Sequence, residues 1–272
     1  MKIAVTGKGG VGKTTLAAVL ARLYAEEGRR VLAADADPDA NLGLALGFTG
    51  QELELLTPVS EMSSLISERT GSNQENYGKF FKINPKVDDI PDRFSLERNG
   101  VKLLLMGTVE TGGGGCVCPE HVMLKRVVSN LIINRDEVVI LDMEAGLEHL
   151  GRGTADFVDM FIVVVEPGLR SIQTCNKVKQ LAADIGVRNI GVVANKIRFD
   201  SDREFLKAGI PDGELLGFIS YCEEVADADR RACSPYDAGG TAVNEIRLIK
   251  KQIDSSEPGR SDRKGWSING VI

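Results

Sequence analysis

Residues 7–14 of the chain read Gly-Lys-Gly-Gly-Val-Gly-Lys-Thr, and this stretch decides the fold. It matches the pattern G-x-x-x-x-G-K-[ST] and follows a short apolar run at residues 2–6 that is typical of a buried strand. Residues 14–27 have apolar positions at helical spacing, and Gly28 is the type of residue that ends helices. A strand, a glycine-rich loop and a helix in this order let backbone N–H groups close around a phosphate.

This loop predicts a site for ATP or ADP with Mg²⁺. Lys13 is expected to reach the β- and γ-phosphates, and the Thr14 hydroxyl is expected to ligate the Mg²⁺ ion. The loop backbone and the first helical turn should supply the remaining phosphate contacts. The expected nucleotide-binding residues of this segment are Gly9, Gly10, Val11, Gly12, Lys13, Thr14 and Thr15.

The rest of the chain alternates short apolar runs with helical patterns, which is typical of βαβ units. We predict an α/β fold: a single P-loop NTPase domain with a mostly parallel central sheet and helices on both faces. The domain should cover residues 1–254, with a polar insertion at about 48–99 that is helical near 62–69. Residues 255–272, rich in Ser, Arg, Gly and Asp, are expected to be a disordered tail. The predicted strands are 2–6, 30–35, 101–107, 137–142, 160–166, 190–195 and 214–219.

Composition excludes several classes of function. The formal net charge is −6, so we expect no general affinity for nucleic acid. No apolar run is long enough to span a bilayer. Because the chain opens directly into a strand pattern, we expect no signal peptide. Five cysteines are an odd, sparse set that fits a reducing compartment. A cytoplasmic protein without a membrane partner is expected.

A second motif follows the loop by more than a hundred residues. Residues 138–142 read Val-Val-Ile-Leu-Asp, a buried strand that ends in a carboxylate. This pattern is typical of the Walker B strand of nucleotide hydrolases. Asp142 is therefore expected to accept a hydrogen bond from Mg²⁺-bound water or from Thr14.

The second lysine in the loop, Lys8, indicates which class of P-loop protein this is. With it, residues 8–15 resemble the deviant Walker A motif of the family that holds MinD, ParA, nitrogenase iron protein and related metal-assembly ATPases. The resemblance implies that Lys8 crosses a dimer interface to the partner's nucleotide, as an arginine finger does. It therefore implies a homodimer that closes around ATP. The alternative interpretation is that Lys8 is a solvated loop lysine.

Two further segments resemble the same family. Residues 35–41 look like its switch I, in which we expect Asp37 to orient the attacking water or to hold Mg²⁺-bound water, with Asp39 a solvated turn residue. Asn195, at a strand end, resembles the segment that reads the adenine edge. The family often has a small hydroxyl residue where this chain has Met143. The expected catalytic residues are Lys8, Lys13, Asp37 and Asp142.

A cysteine pair calls for a separate explanation. Cys116 and Cys118 follow four glycines at residues 112–115, and Pro119 begins a helical pattern that puts Cys118 near its N-cap. A helix N-terminus stabilises a thiolate, which is the form that binds metal. One pair supplies two sulfurs, and a two-fold dimer would bring four together. The alternatives are two buried small side chains or a redox pair.

Together, the loop, residues 35–38, the cysteine loop and residues 144–153 resemble the CooC-type ATPases, over about residues 1–250. Those accessory proteins insert nickel during maturation of carbon monoxide dehydrogenase or acetyl-CoA synthase. The resemblance implies a metallochaperone that binds Ni²⁺ (or Zn²⁺) through Cys116 and Cys118 at a homodimer interface and delivers it to a client apo-metalloenzyme.

The alternative function is a MinD/ParA-like spatial-regulation ATPase without a metal role. It would need a basic amphipathic helix at the C-terminus, which residues 254–272 do not form. The remaining candidate ligands, His121 and His149, are left out of the metal set because lone histidines are more often structural. The other cysteines have no partner spacing and are expected to be structural: Cys175, Cys222 and Cys233.

Overall fold

The structure is a computed structural model, and it describes residues 1–72, 81–108, 118–144, 150 and 152–256. The inner strands of its sheet are short apolar runs that are buried along most of their length, whereas the two edge strands, Leu96–Arg98 and Leu215–Ser220, are only partly buried. The strands are β1 Lys2–Gly7, β2 Val31–Ala36, β3 Leu96–Arg98, β4 Val101–Leu105, β5 Val138–Met143, β6 Met160–Val165, β7 Ile190–Ile197 and β8 Leu215–Ser220.

Within the described ranges these strands form one eight-stranded sheet in the order β3-β4-β2-β5-β1-β6-β7-β8. Every neighbouring pair is parallel except β3 and β4, which are antiparallel. The seven predicted strands are confirmed to within two residues at either end. The edge strand β3 was not predicted, because three residues are too few to carry an alternating pattern.

Helices and one 3₁₀ turn, Val59–Glu61, connect the strands. None of the helices in the described ranges is long and apolar enough to cross a bilayer. Their bounds are α1 Lys13–Glu26, α2 Leu42–Leu46, α3 Gly50–Leu53, α4 Ser63–Thr70, α5 Ile90–Phe94, α6 Pro119–Asn134, α7 Arg152–Ala155, α8 Leu169–Asp184, α9 Asp200–Gly209, α10 Glu223–Arg230, α11 Pro235–Ala238 and α12 Thr241–Ser255.

The sheet has an apolar core on each face, as the prediction of helices on both faces requires. Leu16 and Leu20 of α1 pack with Ile246 of α12 in one core. Met123 of α6 and Val178 of α8 belong to the other. Since both faces are covered, the central strands are apolar at consecutive positions rather than at alternate ones.

The strand order places the functional loops together. β1 lies between β5 and β6, and the chain builds one side of the sheet before it crosses to the other. In such sheets a crevice opens at the carboxyl ends of the strands where the direction of winding reverses. The loops that follow β1, β2, β5 and β7 meet at this edge, and they carry the residues of the predicted site.

Parts of the predicted organisation lie outside the described residues or stay predictions. Helix α4 confirms the helix expected near residues 62–69. The limits of the insertion at 48–99 remain a prediction, and β3 at its end belongs to the sheet. Residues 257–272 of the expected tail are not described, whereas α12 continues to Ser255. Cys116 also lies outside the described residues.

Candidate functional site

The glycine-rich loop joins β1 to α1 and ends at the exposed start of that helix. Gly12 is the N-cap residue, with φ of 96°, and it has no side chain to cap the helix. Leu16 donates the first amide hydrogen bond of the helix, to the Gly12 carbonyl. The amides of Lys13, Thr14 and Thr15 before it have no intrahelical acceptor, as at every helix start. This positive helix end is suited to binding phosphate.

Most of the predicted site residues line a cavity of about 630 Å³ at the carboxyl edge of the sheet. Three residues predicted for the nucleotide site do not line it: Lys8, Val11 and Asp142. The Val11 side chain is fully buried in the core, and its amide donates to the Lys8 carbonyl at 3.4 Å. The predicted site residues that line the cavity are Gly9, Gly10, Gly12, Lys13, Thr14, Thr15, Asp37 and Asn195.

Lys13 and Asp37 form an ion pair inside this cavity. The ammonium nitrogen lies 3.4 Å from Asp37 Oδ2, and the side chains are only 6% and 16% exposed. Both groups were predicted as catalytic, and the structure brings them into contact. An incoming triphosphate would compete with Asp37 for the ammonium group. Asp39, predicted to be a solvated turn residue, is exposed.

Asp142 is the last residue but one of β5, and both of its carboxylate oxygens are buried with no hydrogen-bond partner in the described residues. Burial raises its pKa to about 6, while Thr14 and Lys13 lower it, although no hydrogen bond of normal geometry joins Thr14 to the carboxylate. Unsatisfied carboxylate oxygens beside a hydroxyl are the hard donors that Mg²⁺ prefers. The residues present therefore fit a magnesium–nucleotide complex, held through Thr14, Asp142 and water.

Asp35 is a part of the site that the sequence did not single out. Its Oδ1 accepts from the Asp37 amide at 3.2 Å and its Oδ2 accepts from the Leu42 amide at 2.9 Å. The carboxyl group thus holds both ends of the loop that carries Asp37. Burial, and then the charge of Asp142, raises its pKa to about 7.

Lys8 is half-buried on the rim of the loop. Its side chain makes no hydrogen bond or ion pair with any residue in the described ranges. A role across a dimer interface stays a prediction.

Asn195 lines the cavity, but its amide already has a partner at each end. Nδ2 donates to the Val11 carbonyl at 2.7 Å, and Oδ1 accepts from the Lys196 amide at 2.8 Å. One N–H and one lone pair remain for another partner. Contact with an adenine base therefore stays a prediction.

The end of the cavity away from the loop is more apolar and includes two cysteines. Cys222 and Cys233 line it together with Val225 and Ile246. The Cys222 thiol donates to Glu224 Oε2 at 2.9 Å, and burial followed by this bond raises the pKa of the thiol. Cys175 is buried, as a structural cysteine should be. Cys222 and Cys233 were also expected to be structural, which stays a prediction for these two residues that line the cavity.

Cys118 is the N-cap residue of α6, as predicted. Its backbone is extended, and its sulfur accepts from the His121 amide at 3.4 Å. Pro119 occupies the first helical position. Among the described residues no group of three or more His, Cys, Asp or Glu is arranged to hold a metal ion. Cys116 and His149 lie outside those residues.

Comparison with known proteins agrees with this geometry. The family model of the CobQ/CobB/MinD/ParA nucleotide binding domain matches residues 2–234. The chain belongs to this family. It is 48% identical to the carbon monoxide dehydrogenase accessory protein CooC of Rhodospirillum rubrum, over 87% of this chain and 90% of that protein. An ATP-binding protein of Methanocaldococcus jannaschii is 47% identical, over 93% and 97%. The protein is therefore a CooC-type P-loop ATPase.

Solved structures confirm the fold. The Aquifex aeolicus MinD protein, in its complex with MinC, matches with a TM-score of 0.67 and 20% identity, over 94% of this chain and 96% of that one. A plasmid partition protein of Borrelia burgdorferi, bound to AMPPNP, matches with a TM-score of 0.64 and 16% identity, over 93% and 98%. At these identities the similarity concerns the fold alone.

Proposed function

We propose that this ATPase is a metallochaperone. It binds a metal, with Ni²⁺ favoured over Zn²⁺, through Cys116 and Cys118 at a homodimer interface. It then delivers the metal in the cytoplasm to a client apo-enzyme. Carbon monoxide dehydrogenase is the first candidate client, and acetyl-CoA synthase is the second. The observation that carries the proposal is the similarity to the carbon monoxide dehydrogenase accessory protein over most of both chains.

The chemistry around Cys118 supports the metal role. Its sulfur accepts an amide hydrogen bond at the start of a sixteen-residue helix, where a negative charge is favoured. A thiol in this position needs less free energy to lose its proton, as a metal ligand must. Two such sulfurs per chain leave a tetrahedral or square-planar site half complete. A two-fold partner would supply the other two.

The nucleotide pocket supplies the driving reaction. Lys13 would exchange Asp37 for the β- and γ-phosphates, which releases the Asp37 carboxylate toward the attacking water. Lys8 would neutralise charge on the nucleotide of the second chain. A magnesium ion, when bound, would neutralise charge on the β- and γ-phosphates.

The nucleotide site and the metal site would be coupled through dimerisation. If ATP and the metal both favour the paired state, each must raise the affinity for the other by the same factor, because linkage is reciprocal. Hydrolysis would then weaken the dimer and let the metal pass to the client. A spatial regulator of the MinD type has no such dependence on metal.

The test is metal analysis of the gel-filtered dimer. The wild type should hold one Ni²⁺ per two chains, and a variant with Cys116→Ser and Cys118→Ser should lose tight loading but keep ATP binding. Loading should also fall as the pH drops, since each ligand must release a proton. Cys175→Ala, which removes a buried thiol of α8 that does not line the cavity, is the matched control and should load normally.

Two results would reject the proposal. One is a tightly held ion in each monomer, which would remove the need for a shared site. The other is unchanged loading in the double Ser variant. Either outcome would favour the alternative function, a MinD/ParA-like spatial-regulation ATPase without a metal role.

A further inference from the structure

Strand β7 is irregular at the point where it approaches the phosphate-binding loop. Its register with β8 shifts between Ala194 and Ile197. Lys196 lies in this shift with φ of 59°, a left-handed conformation that side-chain-bearing residues rarely adopt. Such bulges and strained residues are typical of positions where a side chain is re-aimed at a functional site. Here they turn Asn195 and Lys196 toward the loop.

The two side chains hold consecutive carbonyls of that loop. Asn195 Nδ2 donates to the Val11 carbonyl at 2.7 Å, and Lys196 Nζ donates to the Gly10 carbonyl at 2.6 Å. Glu166, just beyond the end of β6, pairs with the Lys196 ammonium at 3.2 Å. Charge assistance makes the lysine contact the stronger of the two hydrogen bonds.

Gly12 shows how closely the amide and the loop are packed. A Cβ atom at Gly12 would lie 2.2 Å from Asn195 Nδ2, and the residue has φ of 96°. The loop therefore passes directly against the Asn195 side chain. It has no freedom to move toward β7, and two hydrogen bonds keep it from moving away.

We propose that Lys196, braced by Glu166 and assisted by Asn195, is a positioning residue that clamps the phosphate-binding loop. With the Gly10 and Val11 carbonyls held on the β7 side, the loop is fixed in shape before the nucleotide arrives. A loop held in its binding conformation loses less entropy when the phosphates bind. Asn195 then acts on the phosphate end of the nucleotide, in contrast to the base contact predicted from its sequence position. The proposal does not depend on the metal role.

Inorganic tripolyphosphate distinguishes a clamp from a base contact, because it has no base. We expect Lys196→Met to weaken the binding of magnesium tripolyphosphate and of ATP by the same factor, about tenfold. Asn195→Ala should also weaken both ligands equally. Lys207→Met, which removes an exposed lysine of α9, is the matched control and should change neither affinity. Isothermal titration calorimetry measures all of these values.

A loss of ATP affinity with unchanged tripolyphosphate affinity would overturn the proposal and assign these residues to the base or the ribose. Unchanged affinity for both ligands in Lys196→Met would overturn it as well.

A double-mutant cycle separates positioning from a general loss of structure. Glu166→Gln alone should weaken tripolyphosphate binding about threefold, and it should cost nothing further in the Lys196→Met background, since it acts through the lysine. Lys196→Arg, which keeps a cationic donor, should retain most of the affinity, and the thermal midpoint of each variant should stay near that of the wild type. Additive losses from Glu166→Gln, or no recovery by arginine, would contradict the clamp. If Lys196→Met does not fold, Glu166→Gln and Asn195→Ala still decide the question.

Discussion

Two carboxyl groups lie side by side at the base of the nucleotide pocket. Asp35 and Asp142 are direct neighbours across the parallel strands β2 and β5, and both are buried. Burial disfavours their charged forms, so the pKa of Asp35 is raised to about 7 and that of Asp142 to about 6. At pH values between the ordinary pKa of 3.8 and these raised values, the nucleotide-free folded protein holds protons that the unfolded chain would release. A bound cation would reverse this tendency.

We predict that Asp35 gives the nucleotide-free protein a pH-dependent stability. The folded-state pKa of about 7 lies above the ordinary value of 3.8, so the folded protein binds the extra proton between these values. Stability from this group is complete at low pH and is lost as the pH rises through 7. Relative to Asp35→Asn, the free energy of unfolding of the wild type should fall by about 2 kcal/mol from pH 5 to pH 8.

Urea unfolding without nucleotide or magnesium measures the effect. Asp39→Asn, an exposed carboxyl group of the same loop, is the matched control and should follow the wild-type pH profile. Parallel profiles for the wild type and Asp35→Asn would mean that Asp35 is ionised in the folded protein at neutral pH.

At the level of secondary structure, α12 is linked by side-chain contacts to α1, the helix that follows the phosphate-binding loop. Lys250 of α12 is only 3% exposed and donates to Glu27, beyond the end of α1, and to Asp254. Its ammonium group lies 4.2 Å from the centre of the Tyr24 ring, and the Tyr24 hydroxyl donates to Asp254. One lysine thus joins the C-terminal helix to the end of α1.

We predict that Lys250→Met lowers the free energy of unfolding by about 1–2 kcal/mol. The methionine keeps the packing but leaves two carboxylates without their cation, and the cost is moderate because both are partly hydrated. The side chains of Glu27 and Asp254 are 51% and 37% exposed. Lys251→Met, one position along and exposed, should have no effect in the same chemical denaturation experiment. Equal stabilities of the two variants would show that the network contributes nothing.

At the scale of the whole molecule, the open side of the pocket is the feature that bears on dimerisation. Lys8 adjoins Gly9 and Gly10, which line the pocket, and the Lys8 side chain has no partner in the described part of the chain. Within the described residues, one positive group beside the pocket thus has no partner. A second copy in a two-fold arrangement would use it twice, once in each site.

We predict that Lys8→Ala keeps ATP affinity but loses ATP-driven dimerisation and most of the hydrolysis. Binding should persist because Lys13 and the loop amides are intact. Light scattering with a non-hydrolysable ATP analogue measures the dimer, and equilibrium dialysis measures the affinity. Lys86→Ala, at an exposed position, is the control and should dimerise normally. A full dimer population in Lys8→Ala would make Lys8 an ordinary loop residue.

Local patterns account for the parts of the fold that were predicted correctly. A strand covered on both faces is a continuous apolar run, so β5 and β6 can be read from their residues alone. The phosphate-binding loop is equally local, because its glycines, its lysine and its hydroxyl lie within eight consecutive residues. The N-cap position of Cys118 followed from the proline after it. None of these features depends on residues far away in the chain.

The sequence by itself therefore determined the fold class, the nucleotide loop and the family resemblance. Only the tertiary structure decided what surrounds them. Asp35 meets Asp142 because β2 and β5 pair in one particular register. Asn195 reaches Val11 across 184 residues of sequence because β7 bulges at the edge of the sheet where the loop lies. Strand register and bulges are set by packing and by hydrogen bonds between distant segments, and a local pattern carries no information about either.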